Sequence, residues 1–206
     1  INLAIVDEML VLAEQSGLDA VLCLNKADIC APEEIAPVAG VYVTTPYRLI
    51  VTSAKTGLGI DDVRGVLKDR VSVLAGQSGV GKSSILNALI PGVRRETGEV
   101  SRKLGRGRHT TKGVELLMLP GGGLVADTPG FSRLEIESMD KSTLAERFPE
   151  FEAFRGKCRF SDCVHRQEPG CAVKDAVASG VVSASRYRNY ILMLEQVQIN
   201  EDRRYR

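Results

Sequence analysis

The chain has 206 residues, 44% of them hydrophobic and 26% charged, with a formal net charge of +1. This is the composition of an ordinary globular protein long enough to bury a core, and its total charge does not mark a nucleic-acid binder. No apolar run approaches the roughly 18–20 residues that a membrane helix needs, and five unevenly spaced cysteines do not make a secreted disulfide scaffold, so a cytoplasmic protein without a membrane partner is expected.

The chain opens at Ile1 directly in a helical pattern, without a signal-peptide profile, and an upstream segment is expected. A first helix is predicted from an Asn2 cap to a Gly17 stop. Ala20–Leu24 reads as a buried strand, with Cys23 in the core, and a helix begins near Pro32. The strand Leu49–Val51, a helix over Asp61–Lys68, the strand Val71–Ala75 and a helix over Lys82–Leu89 follow. Val114–Leu119 and Leu124–Ala126 flank Gly121–Gly123 and suit a hairpin, which makes one sheet edge antiparallel. Strands alternating with helices predict an α/β doubly wound, mainly parallel sheet. The stretch from Pro91 to Lys112 is long enough to be a functional loop. Beyond Phe131 the composition turns polar and then cysteine-rich, and an amphipathic helix over Ser185–Ile199 offers Tyr187, Ile191, Leu194 and Val197 to one face. A boundary near Met139 divides the chain into domains 1–138 and 139–206.

Gly76-Gln77-Ser78-Gly79-Val80-Gly81-Lys82-Ser83 fits the phosphate-binding loop completely and lies between a predicted strand and helix, as that loop requires. Its backbone N–H groups and those at Ser84 converge on phosphate, Lys82 reaches the β- and γ-phosphates, and the Ser83 hydroxyl takes Mg²⁺. Asp127-Thr128-Pro129-Gly130 ends a strand, where Asp127 serves Mg²⁺ through water and the Gly130 N–H senses the γ-phosphate. Asn25-Lys26-Ala27-Asp28 ends another. The Asp28 carboxylate can accept from the guanine N1–H and exocyclic amine, a donor pair that adenine lacks, while Lys26 lies along the base and Asn25 braces the loops. After the next strand comes Ser53-Ala54-Lys55, with the Ala54 N–H placed for guanine O6. Singly, the last two motifs are ordinary turns; together, four strand ends carry one GTP/GDP site.

The motif set resembles the Ras-like GTPases with the order permuted: the base-reading motifs come first. Every motif still falls at the C-terminal edge of the sheet. In those enzymes a Gln after D-x-x-G positions the attacking water; Phe131 stands there instead, so slow intrinsic hydrolysis is expected. Between the P-loop helix and the next strand, Gly105-Arg106-Gly107-Arg108-His109-Thr110-Thr111 occupies the first switch, which assigns Thr111 to Mg²⁺, with Thr110 as the alternative. His109 either aligns water as the catalytic residue or is a loop residue facing solvent or RNA. From Arg94 to Lys112 seven basic residues stand against Glu96 and Glu99, a balance suited to nucleic-acid phosphates or to a solvated loop.

Cys158, Cys163, His165 and Cys171 give C-x4-C-x-H-x5-C, a closed tetrahedral set expected to hold one structural zinc ion; free thiols or a disulfide with one thiol left over are the alternatives. With the permuted motifs and the Gly-Arg-Gly-Arg-His-Thr-Thr switch, this cluster resembles the RsgA (YjeQ) family over nearly the whole chain. The resemblance implies a GTPase acting late in 30S ribosomal-subunit maturation. Its partner would be 16S rRNA, its hydrolysis stimulated by the subunit, and an OB-fold domain would precede Ile1. The chain is expected to act as a monomer. The alternative function is a GTP-gated RNA-binding or scaffolding protein in which turnover is secondary.

Overall fold

The computed structural model describes residues 1–90, 92, 115–127 and 139–204. The chain divides into two compact units. One comprises Leu22–Ile35 and Leu49–Arg133; the other comprises Ile1–Val21, Ala36–Arg48 and Leu134–Arg206. Chain order and motif content suggest a partition at 138/139; packing groups the first helix with the C-terminal residues.

β1 (Val21–Leu24) pairs with β2 (Arg48–Val51), all but Val21 and Arg48 of the two lying in the first unit, where β3 (Val71–Val73), β5 (Leu124–Asp127) and β4 (Glu115–Met118) form a second sheet in that order. The pairing of β3 with β5 is parallel and that of β4 with β5 antiparallel, as expected. The described strands thus form two sheets where one was expected; β3 stops at Val73, two residues early, because Leu74 and Ala75 already lead into the Gly-rich loop. A common core joins them: Ile50 from β2 and Val125 from β5 meet Ile60 and Val63 of α3 (Ile60–Leu67) and Ile85, Leu86 and Leu89 of α4 (Lys82–Leu89). Asp61 and Asp62 in the first turn of α3 suit the positive helix N-terminus. The hairpin between β4 and β5 turns through Gly121, Gly122 and Gly123, all with φ between 93° and 103°, a region side chains avoid.

β1 is not a buried strand. Val21 and Cys23 point to its exposed side, so Cys23 does not belong to the core. After it, α2 (Pro32–Tyr42) starts where the Glu34 carboxylate accepts the Ala31 N–H at 2.8 Å, one arm of a capping box.

In the other unit, α1 (Leu3–Gln15) starts at Asn2, whose Oδ1 accepts the Ala4 N–H at 3.1 Å, and stops at Gly17, with φ +64°. Short turns over Lys141–Leu144 (α5), Ala145–Arg147 and Pro149–Phe154 precede α6 (Ala172–Ala178) and α7 (Ala184–Arg204). The core combines Val11 and Leu12 of α1, Phe148, Phe151 and Val173 with Tyr190, Leu194 and Val197 of α7. Phe148 and Phe151 each lie 5.2 Å from the Tyr190 ring, near-perpendicular to it. The apolar face predicted for α7 is present, with Leu194 and Val197 buried and Tyr187 and Ile191 packed at its border.

Inside this core lies a charged network that no local pattern announced. Arg186 of α7 is fully buried; its Nε donates to Glu150 Oε1 at 2.7 Å and its Nη1 to Asp7 Oδ1 at 2.8 Å. Asp7 also accepts from Tyr42 Oη at 2.9 Å and Asn189 Nδ2 at 2.6 Å. The guanidinium stacks on Phe148, 4.7 Å from the ring centroid. Burial alone would loosen the Arg186 proton, but Glu150 and Asp7 more than offset it and keep the side chain charged. Burial and the Asp7 carboxylate both push the Tyr42 hydroxyl up. No described helix is long and apolar enough to cross a membrane.

Candidate nucleotide and metal sites

All the described nucleotide-site residues fall in one unit. Three loops meet at Asn25: its Nδ2 donates to the Val80 carbonyl at 3.1 Å, and its Oδ1 accepts the Ala54 N–H at 3.1 Å. One amide therefore ties the base-reading loop to the phosphate loop, 55 residues away in sequence, and to the Ser53-Ala54-Lys55 loop. Gly81, with φ +98°, is the point of contact, since a Cβ there would collide with Asn25 Nδ2. Gly76 and Gly79 also take positive φ, +148° and +82°, which lets Gly76–Gly81 curl between β3 and α4. Gln77, Ser78 and Val80 complete that loop, with Ser83 and Ser84 in the first turn of α4. Lys82 Nζ donates back to the carbonyls of Gly76 and Gln77 at 2.7 and 2.9 Å, which holds the ammonium against the loop.

At the base end, Asp28 Oδ1 accepts from Ser53 Oγ at 2.7 Å, and Oδ2 lies 3.8 Å from Lys55 Nζ. The Asp28 side chain is 14% exposed, and the Ser53 hydrogen bond leads the causes that hold its carboxyl below the usual range. An ionised acceptor results, which guanine recognition needs. Lys26 adopts φ +71°, an uncommon conformation for a non-glycine residue that is concentrated at functional turns. The Ala54 N–H, expected to meet guanine O6, is engaged by Asn25, so an O6 contact would share that donor. Sequence reasoning missed Thr52. It is fully buried, with Oγ1 3.3 Å from the Leu24 carbonyl and 3.4 Å from Asn25 Oδ1, and its place just before Ser53 was the available signal. β5 ends at Asp127, which puts that residue at the strand's C-terminal end. His109, Thr110, Thr111, Gly130 and Phe131 lie outside the described residues.

The metal set belongs to the other unit. The ligand atoms of Cys158, Cys163, His165 and Cys171 all lie within 4.8 Å of one another. The Cys158 and Cys171 sulfurs are 3.9 Å apart, and His165 Nδ1 is 3.3–3.6 Å from the three thiols. A disulfide needs about 2.05 Å, whereas tetrahedral sulfurs at about 2.3 Å from a central ion stand about 3.8 Å apart. The four groups fit a tetrahedral ion through Nδ1. Burial pushes the Cys163 thiol up to about 12 and the His165 imidazole down. The histidine is thus neutral and ready to ligate, while the thiol proton must leave on binding, which thiolate–metal bonding drives.

The model of the RsgA GTPase family matches residues 1–137. The chain is 48% identical to the small ribosomal subunit biogenesis GTPase RsgA of Moorella thermoacetica, over 97% of this chain and 69% of that protein. It is 46% identical to the protein of that name from Caldanaerobacter subterraneus subsp. tengcongensis, over 100% and 70%.

The chain belongs to the RsgA GTPase family.

Solved structures agree. YjeQ from Thermotoga maritima superposes with a TM-score of 0.82 at 39% identity, over 96% of this chain and 66% of that one. YloQ, described as a circularly permuted GTPase, gives 0.78 at 32% identity, over 96% and 63%. The permuted order of the base and phosphate motifs is therefore the order of the RsgA fold, and the chain spans about two thirds of the length of these solved relatives.

Proposed function

We propose that this chain hydrolyses the γ-phosphate of GTP as a late maturation factor of the 30S ribosomal subunit, and that the subunit stimulates the reaction. The observation that supports this reading is the Asn25 bridge, which ties the Asn25–Asp28 loop to the Gly76–Gly81 loop and to Ser53-Ala54-Lys55. Asp28 reads the base, Lys82 and the loop N–H groups hold the phosphates, and Ser83, Thr111 and Asp127 serve Mg²⁺. Gly130 senses the γ-phosphate, and His109 aligns the attacking water in place of the glutamine that Phe131 supplants. The relatives' printed names support the small subunit as partner, with 16S rRNA as the surface met by the basic Arg94–Lys112 stretch. Zinc is the ion of the Cys158, Cys163, His165, Cys171 set, whose three sulfurs and one nitrogen match a structural site. The functional partition is a GTPase domain over 1–138 and a zinc-binding domain over 139–206, preceded in the full protein by an OB-fold domain. It works as a cytoplasmic monomer.

The test is multiple-turnover GTP hydrolysis by full-length protein with and without purified 30S subunits. A large rise supports the reading, and His109→Ala should abolish that rise. No rise, with GTP binding intact, removes subunit stimulation and leaves a GTP-gated binding protein.

A further inference from the structure

Residues 163–171 form no helix or strand, yet four consecutive backbone N–H groups within them all have acceptors. Val164 donates to Glu168 Oε1 at 3.0 Å, and Arg166 and Gln167 donate to Glu168 Oε2 at 2.8 and 3.0 Å. Between them, the His165 N–H points to Cys163 Sγ at 3.4 Å. Three of the four N–H groups thus turn toward one anion, the chain's own carboxylate, in the manner of the backbone concavities that elsewhere bind phosphate. The opposite edge is clamped as well. Tyr190 Oη donates to the Val164 carbonyl at 2.7 Å and Tyr187 Oη to that of His165 at 2.6 Å. Held from both sides, His165 keeps φ +59°, a conformation that a non-glycine residue holds only when its surroundings impose it.

We propose that Glu168 is a positioning residue for the metal: its carboxylate folds the 163–171 loop before the ion arrives, so that the His165 imidazole already faces the three thiols. The inference rests on the zinc reading above. Among the described residues the Glu168 carboxylate bonds backbone N–H groups and no ligand atom, so the role proposed for it is to hold the loop. It fixes the peptide units on either side of His165 and removes the ordering cost that a floppy loop would impose on binding. Outer partners that orient metal ligands typically matter by about 10–100-fold in metal affinity.

The experiment uses the full chain and Zn²⁺ alone, titrated in competition with a chelator, with Co²⁺ absorption reporting tetrahedral geometry. Glu168→Gln leaves the loop's N–H groups facing an amide in place of a carboxylate and is expected to weaken Zn²⁺ binding about 10–100-fold. Tyr187→Phe, which removes one clamp and keeps the ring, gives a smaller loss in the same direction. Glu152→Gln, at an exposed carboxylate paired with Arg155, leaves the affinity unchanged. In zinc-free wild-type protein the Val164, Arg166 and Gln167 amides should resist hydrogen exchange. Exchange of those amides at unprotected rates, or Glu168→Gln binding Zn²⁺ within roughly twofold of wild type whatever its melting temperature, overturns the proposal. Failure of the wild-type chain itself to take up Zn²⁺ sinks the zinc reading and this inference with it, whereas wild-type uptake with unchanged uptake by the variant sinks the inference alone.

Discussion

The nucleotide site and the metal site are held by opposite means. In the first, glycines at positive φ curl the Gly76–Gly81 loop, and the Asn25 side chain ties it to the Ser53-Ala54-Lys55 loop. In the second, side chains offer the ligand atoms, and the loop that carries Cys163 and His165 is held by a carboxylate and two tyrosine hydroxyls. A backbone site needs residues that give the chain room. A side-chain site needs partners that hold an irregular loop still. The two should therefore fail differently when altered.

The largest separation comes from removing one group in each. Lys82→Ala should cut GTP hydrolysis about 100- to 1,000-fold, as loss of a charge-stabilising donor does, while the metal content measured by atomic emission stays at one ion per chain. Cys163→Ser should do the reverse, losing the ion and the cooperative melt of its unit while GTP binding persists. Next in size is Arg186→Met, which strands the buried Asp7 and Glu150 carboxylates; a loss of about 3–5 kcal/mol is expected in chemical denaturation, with GTP affinity little changed. Gly81→Ala puts a Cβ into the left-handed region and against Asn25 Nδ2. A penalty of about 1–2 kcal/mol corresponds to roughly tenfold weaker GTP binding by fluorescence titration, with no change in zinc uptake.

The smallest effect is a shift with pH. Ser53 lowers the Asp28 pKa, so the ionised carboxylate, and what it contributes, is fully present above the ordinary carboxylate value and is lost as pH falls through the folded value. Ser53→Ala should leave GTP affinity near neutral pH little altered and move its acid loss to higher pH. An unmoved acid limb would show that Ser53 does not tune the base reader.

The nucleotide site was legible because its requirements are local. Gly81, Lys82 and Asp28 stand in short motif spacings at strand ends, and the predicted helix over Lys82–Leu89 is the observed one. The Cys158, Cys163, His165, Cys171 cluster was legible for the same reason. What escaped was the matrix around them. Asp7 and Arg186 are 179 residues apart and Glu150 and Arg186 are 36 apart, so no helical or strand period links them, and charged residues in an amphipathic pattern suggest a solvated face. The first helix, which chain order suggested for the nucleotide domain, packs with the C-terminal residues through that network. β1 is apolar throughout, a pattern that suggests a buried strand, but an edge strand can be apolar and still expose alternate residues, as Val21 and Cys23 do. Glu168 left no trace in the sequence beyond its place among the ligands, because its partners are backbone N–H groups that any residue supplies.

The central claim is that this site reads guanine through the Asp28 carboxylate, and the most direct measurement is the nucleotide preference of Asp28→Asn. An amide in place of the carboxylate presents one donor and one acceptor, which no longer matches the two donors of guanine but does match xanthine, whose second position is a carbonyl. The account predicts that GTP binding collapses while binding of xanthosine triphosphate rises to replace it. Unchanged GTP affinity in Asp28→Asn would contradict it.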